Sequence, residues 1–154
     1  MSRVSIKQVE ELADFLDRQS EHLERMLGYL DELRKALIRR DLPVLQEMQA
    51  QLAREAEIRV QLDQSVQVLQ RTLGESLGCR PQAICLTAIC RAGGESVERV
   101  IRPRQRHLAE QVLRLRQQHL ATELLMREYA RMNRRLLEAL AGRAPARLHV
   151  TAQA

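Results

Sequence analysis

Positions 9, 12, 16, 19, 23, 26, 30, 33 and 37 carry Val9, Leu12, Leu16, Gln19, Leu23, Met26, Leu30, Leu33 and Leu37. All but Gln19 are apolar, and the steps alternate between three and four, which is the seam of an α-helical coiled coil. The pattern predicts a first helix over 5–40. Ser5 with Gln8 three residues later forms a capping box at its start. A second helix is expected over 43–77, with Leu45, Met48, Leu52, Leu62, Val66, Leu69 and Leu73 on its seam. The hinge between the two is Arg40-Asp41-Leu42-Pro43, where Asp41 suits an N-cap and Pro43 the first turn. Glu55 and Arg59 interrupt the second stripe. They stand four apart and can pair, and long side chains can snorkel at a bundle rim. Gly28, inside the first helix, costs about 1 kcal/mol against Ala and is assigned to a close helix–helix approach. Gly78 is the expected C-terminal stop of the second helix.

Pro81 opens a short apolar helix, 81–92, whose Ile84, Cys85, Ala88 and Ile89 are expected to cap one end of the bundle. Gly93-Gly94 breaks the chain, and a last helix follows over 95–141. At 1.5 Å per residue it spans roughly 70 Å, against roughly 55 Å for each arm of the hairpin. It therefore has to bend or outrun its neighbours, and Pro103 is the natural bend or break. Its apolar residues form two stripes. Leu108, Val112, Leu115, Thr122, Met126, Tyr129, Leu136 and Leu140 make one, and Leu113, Leu120, Leu124, Leu125 and Leu137 make the other. A helix packed on one side needs only one. Either this helix is central and touches both arms, or its second stripe, above all over Leu120–Leu140, meets a partner. Residues 143–154 show no apolar periodicity and read as a tail. The expected fold is all-α: an elongated antiparallel helical bundle or coiled coil of three long helices plus one short helix, in a single domain over 1–142.

Composition narrows the function. Aromatic residues make up 2% of the chain, so there is almost no surface on which nucleobases could stack. The charge is asymmetric. Residues 1–78 hold eleven basic and fourteen acidic side chains, whereas residues 79–154 hold fourteen arginines and six acidic residues. Two halves of opposite sign attract when folded together. The Arg-rich stretch Arg99, Arg102, Arg104, Arg106, Arg114 and Arg116 could follow phosphates, but no nucleic-acid motif accompanies it, and a solvated, salt-bridged helix face is the commoner reading. Cys79, Cys85 and Cys90, spaced by six and five, match neither a C-x-x-C site nor a disulfide framework, and read as three buried, reduced thiols. The histidines His22, His107, His119 and His149 are scattered, with no metal-ligand spacing. No phosphate-binding glycine loop is present, and the carboxylates lie on helix faces open to solvent. These features point away from an enzyme and imply no metal and no cofactor. The first residues do not resemble a signal peptide, and the longest apolar run, Ala83–Cys90, is too short to span a bilayer. The expectation is a cytoplasmic protein with no membrane insertion.

The segment Leu33–Leu62 resembles the FlgN family of flagellar export chaperones. The turn Arg40-Asp41, then Leu45 and the basic Arg54, follow that family's pattern. So do Leu73-Gly74 or Leu77-Gly78 at the end of the second helix, the short helix that follows, and Asn133-Arg134-Arg135-Leu136-Leu137 in the last one. The resemblance covers about residues 10–140. The chain departs from the family in Arg40, where Gly is common, in Pro43 and Pro103, and in its many arginines. The resemblance implies a cytoplasmic chaperone of the flagellar type III export system. Such a chaperone binds C-terminal helical segments of the hook-associated junction proteins, prevents their premature assembly and brings them to the export gate. A helix-in-groove contact agrees with the spare apolar stripe. The residues it implicates in client binding are Leu120, Leu124, Met126, Tyr129, Met132, Asn133, Leu136 and Leu137, with Tyr129 as the anchor. The alternatives are a self-associating structural coiled coil, in which a homodimer buries the second stripe, and, with less in its favour, an Arg-rich helical protein that binds nucleic acid.

Overall fold

The computed structural model describes residues 4–142. Helix α1 spans Ile6–Arg39 and opens on the expected capping box. The Gln8 amide donates to Ser5 Oγ at 3.2 Å, and the Ser5 amide to Gln8 Oε1 at 2.9 Å. It stops because Arg40 turns into the left-handed region (φ 57°), where the Asp41 amide closes back on the Ala36 carbonyl at 3.0 Å. Asp41 then caps α2, Leu42–Leu77, its Oδ1 accepting from the Val44 amide at 3.3 Å. Two residues thus suffice for the reversal, and α1 and α2 lie antiparallel. Gly78 (φ 65°) ends α2, and the Cys79 amide bonds the Gly74 carbonyl.

The short apolar segment is divided. A 3-10 turn, Pro81–Ala83, is separated from α3, Leu86–Gly93, by extended residues Ile84 and Cys85. The Cys85 side chain acts as N-cap, its Sγ accepting from the Ala88 amide. Ile84 and Ile89 cap the bundle end as expected, but Cys85 does not, because capping holds it at the surface. Cys79 is exposed as well, so only Cys90 fits the expectation of buried thiols. Burial, followed by the charge of Glu98, pushes the Cys90 thiol above its ordinary value.

Helix α4, Glu95–Leu140, runs through Pro103 without a break. Pro103 cannot donate to the Arg99 carbonyl. Beside it, Arg104 Nη1 donates to the Val100 carbonyl at 2.8 Å, which adds a bond on the same turn. No described helix is long and apolar enough to cross a membrane.

The central element is α1, not α4. Both α2 and α4 pack along α1, and they hardly touch each other. That is why α1 buries Phe15, His22 and Ala36 beyond its seam. Two apolar cores result. One joins Leu12, Leu16, Leu62, Leu73, Ile84, Ile89, Val97 and Ile101, and the other joins Leu30, Leu33, Leu37 and Leu45. Between them lies a polar belt. Gln111 of α4 bonds the Ser20 carbonyl and Glu24 of α1, while Glu55 of α2 reaches His22 and Arg25.

Gly28 is exposed, and a Cβ there would meet nothing within 4 Å, so no close helix approach explains it. The attraction between the halves is realised, among the described residues, in one ion pair, Arg104 with Asp17. The other paired arginines of α4 bond along their own helix, as Arg99 does with Glu95 and Arg127 with Glu123.

Candidate helix-binding cleft

Heptad spacing determines which α4 residues meet α1. Val97, Ile101, Arg104, Leu108, Gln111, Leu115, Gln118, Thr122, Leu125 and Tyr129 follow steps of four and three, and none is exposed. Three of the ten are uncharged polar residues. Thr122 bonds its own helix at the Gln118 carbonyl, and Gln118 Oε1 is buried without a hydrogen-bond partner. The larger apolar side chains Leu113, Leu120 and Leu124 instead stand on the outer face of α4. Hydrophobicity alone places Leu inward and Gln outward, so the apolar stripes captured Leu108, Leu115, Thr122 and Tyr129 of this seam but not Gln111 or Gln118.

Because α2 and α4 flank α1 without closing on each other, the α1 seam between them needs a cover. At one end the chain supplies it. The 3-10 turn packs on α2 and α3 packs on α4, so that Ile84, Ile89 and Cys90 cover Leu12 and Leu16. At the other end Leu30 and Leu33 are buried in the second core, and no described segment fills the gap between α2 and α4. There Met26, Leu30 and Leu33 form the floor of a cleft of about 600 Å³. Gln49, Leu52 and Arg59 make the α2 wall, and Leu115, Arg116, His119, Thr122, Glu123 and Met126 make the α4 wall. The stretch of α2 from Gln49 to Arg59 runs about 15 Å, or roughly three helical turns.

One turn of α1 before Met26 stands the polar belt. His22, 2% exposed, and Glu55, 4% exposed, meet at 2.7 Å between Nδ1 and Oε2. Arg25 Nε donates to Glu55 Oε1, also at 2.7 Å. Burial alone would raise the Glu55 carboxyl, but the hydrogen bonds from Arg25 and then His22 outweigh it and hold it below its ordinary value. The same bond to Glu55 raises the Arg25 guanidinium. Glu55 is therefore engaged inside the molecule and does not pair with Arg59, contrary to the expectation from their spacing. A carboxylate one turn along the same helix offers an exposed pairing worth little, whereas a buried one must collect donors from α1.

The eight residues expected to bind a client fall into four groups. Met126 lines the cleft. Tyr129 and Met132 line a smaller crevice beside the α1–α2 turn, with Leu37, Ile38, Arg40 and Leu125. Arg40 Nη2 lies 3.5 Å from Met132 Sδ there. Leu120 and Leu124 are on the outer face, Leu124 57% exposed. Asn133, Leu136 and Leu137 continue past the turn, Leu137 66% exposed, so α4 does outrun the hairpin. Steps of two or six residues rotate a side chain by about 200° or 240°, which is why Leu120 and Leu124 cannot share a face with Met126. Most of the cleft, Met26, Leu30, Leu33, Leu52 and Leu115, was read as ordinary seam. The one signal of an opening was the polar interruption of the α2 stripe at Glu55 and Arg59.

No protein-family model matches the chain, and neither a curated protein nor a solved structure does.

Proposed function

We propose that this protein is a cytoplasmic export chaperone of the flagellar type III system, and that it takes the C-terminal helical segment of a hook-associated junction protein into the cleft between α2 and α4. The observation that carries this reading is the apolar cleft over Met26, Leu30 and Leu33 of the α1 seam, flanked by two helices that hardly touch each other. An amphipathic helix laid there completes a four-helix arrangement, as the chain's own 3-10 turn and α3 do at the opposite end. Burying an apolar side chain contributes about 1.5–3 kcal/mol. Four or five such residues on a client contribute about 6–15 kcal/mol, and it is the upper part of that range that covers the roughly 8 kcal/mol of micromolar binding together with ordering costs. Holding that segment prevents its premature assembly until it is delivered to the export gate. In this reading no chemistry is performed, and the protein is not an enzyme.

The test is calorimetric titration with C-terminal segments of the hook-associated junction proteins from the same cell. Saturable binding at micromolar or tighter affinity is expected, and it is lost in Met126→Glu, an exposed substitution that leaves helicity intact. Loss in Leu124→Asp or Leu137→Asp with Met126→Glu unaffected would move the site to the outer face and tip of α4. A second reading, self-association, draws on Leu113, Leu120 and Leu124, which form an exposed apolar strip on α4. A dimer by light scattering that Leu120→Asp dissolves, without any client binding, is its signature.

A further inference from the structure

We infer that the cleft selects an acidic amphipathic helix, one with carboxylates on both flanks of its apolar seam. The inference rests on reading the cleft as a helix groove and adds to it the chemistry of the occupant. Arg59 stands on the α2 wall and Arg116 on the α4 wall. Both are exposed, and neither makes an ion pair or a side-chain hydrogen bond among the described residues. Arg59 is unengaged because Glu55, one turn before it, is held by His22 and Arg25. The single carboxylate of the rim, Glu123, is taken by Arg127 at 2.5 Å. The net rim is therefore one free guanidinium on each wall of an apolar floor, with His119 on the α4 wall. A helix seated between them meets a cation on each side, so a glutamate on each flank is attracted and a lysine on each flank repelled. The length of the walls sets the occupant at three turns or more.

The probes are two synthetic amphipathic helices of about five turns with the same leucine seam, one flanked by Glu and one by Lys, titrated against the full-length protein by fluorescence anisotropy. The Glu helix is expected to bind about ten- to thirtyfold tighter. In Arg59→Glu/Arg116→Glu that preference disappears or reverses. In Arg114→Glu/Arg134→Glu, which changes the net charge equally at exposed sites outside the cleft, it persists. Circular dichroism is expected to be unchanged in both variants, since all four arginines are exposed. Equal binding of the two helices overturns the acidic preference while leaving the groove in place. An equal loss of preference in both double variants overturns it too, by assigning the effect to net charge. Binding of neither helix removes the groove reading itself.

Discussion

Replacing Glu55 by Leu tests the polar belt, the feature that leaves Arg59 unpaired. Leu nearly matches the volume of Glu, so the change removes the carboxylate without opening a large cavity. Two short hydrogen bonds to a charged group are lost, each contributing about 1.5–3 kcal/mol, and with them a longer one from Arg25 Nη2 at 3.4 Å. Part of that is returned, because a carboxylate 4% exposed no longer has to be desolvated. Arg25, with 41% of its side chain exposed, can rehydrate, whereas His22 is left buried with no partner. The net expectation is a loss of about 2–3 kcal/mol. For a chain of this size that lowers the midpoint of thermal unfolding by roughly 4–12 °C. With no Trp in the chain, urea and thermal unfolding are best followed by circular dichroism at 222 nm. The double variant His22→Leu/Glu55→Leu removes the orphaned imidazole and is expected to return to within about 1 kcal/mol of the parent. The pH dependence supplies an independent check. The folded carboxyl lies below its ordinary value near 4.5, so the charged form is the stabilising one. Its contribution is complete above that pH and is lost as pH falls through the folded value. The gap between parent and Glu55→Leu should therefore narrow below about pH 4.5. A single variant as stable as the parent, or a gap that widens in acid, would refute the assignment of Glu55 as a buried, doubly bonded anion.

Two further outcomes follow from local geometry. Gly28→Ala is expected to stabilise the protein by about 0.8–1 kcal/mol, since the added methyl meets nothing and α1 loses a helix-weakening residue. Gly74→Ala is expected to do the reverse, because its Cβ would lie 2.9 Å from the carbonyl oxygen of Cys79, the residue whose amide closes the α2 end. Chemical denaturation of the pair checks both signs. A thiol reagent should label Cys79 and Cys85 rapidly and Cys90 only on unfolding, as mass spectrometry over time would reveal.

The helices themselves were legible because their determinants are local. The alternation of threes and fours, the Ser5–Gln8 box, Asp41 before Pro43, and Gly78 act within one or two turns of chain, and each sits in the structure where the pattern predicts it. The α1 seam was also correct residue by residue. What the pattern could not say is which helix lies in the middle. An apolar stripe states that a face is buried, but not against what, and two stripes on α4 suggested that it was the central element. The tertiary structure assigns that place to α1, and three consequences follow. Polar Gln111 and Gln118 turn inward because their positions in the heptad, not their hydrophobicity, face α1. Glu55 finds its partners 33 and 30 residues away, at His22 and Arg25, and not at Arg59 on its own helix. The gap between α2 and α4 is filled at one end by Ile84 and Ile89 but not at the other, so the seam residues Leu30 and Leu33, buried in the second core, also form with Met26 the floor of a cleft. Local propensity and spacing determine where the helices are. The angle at which α2 and α4 approach α1 is a property of packing over the whole length of the molecule, and it alone decides which apolar residues stay open to a partner.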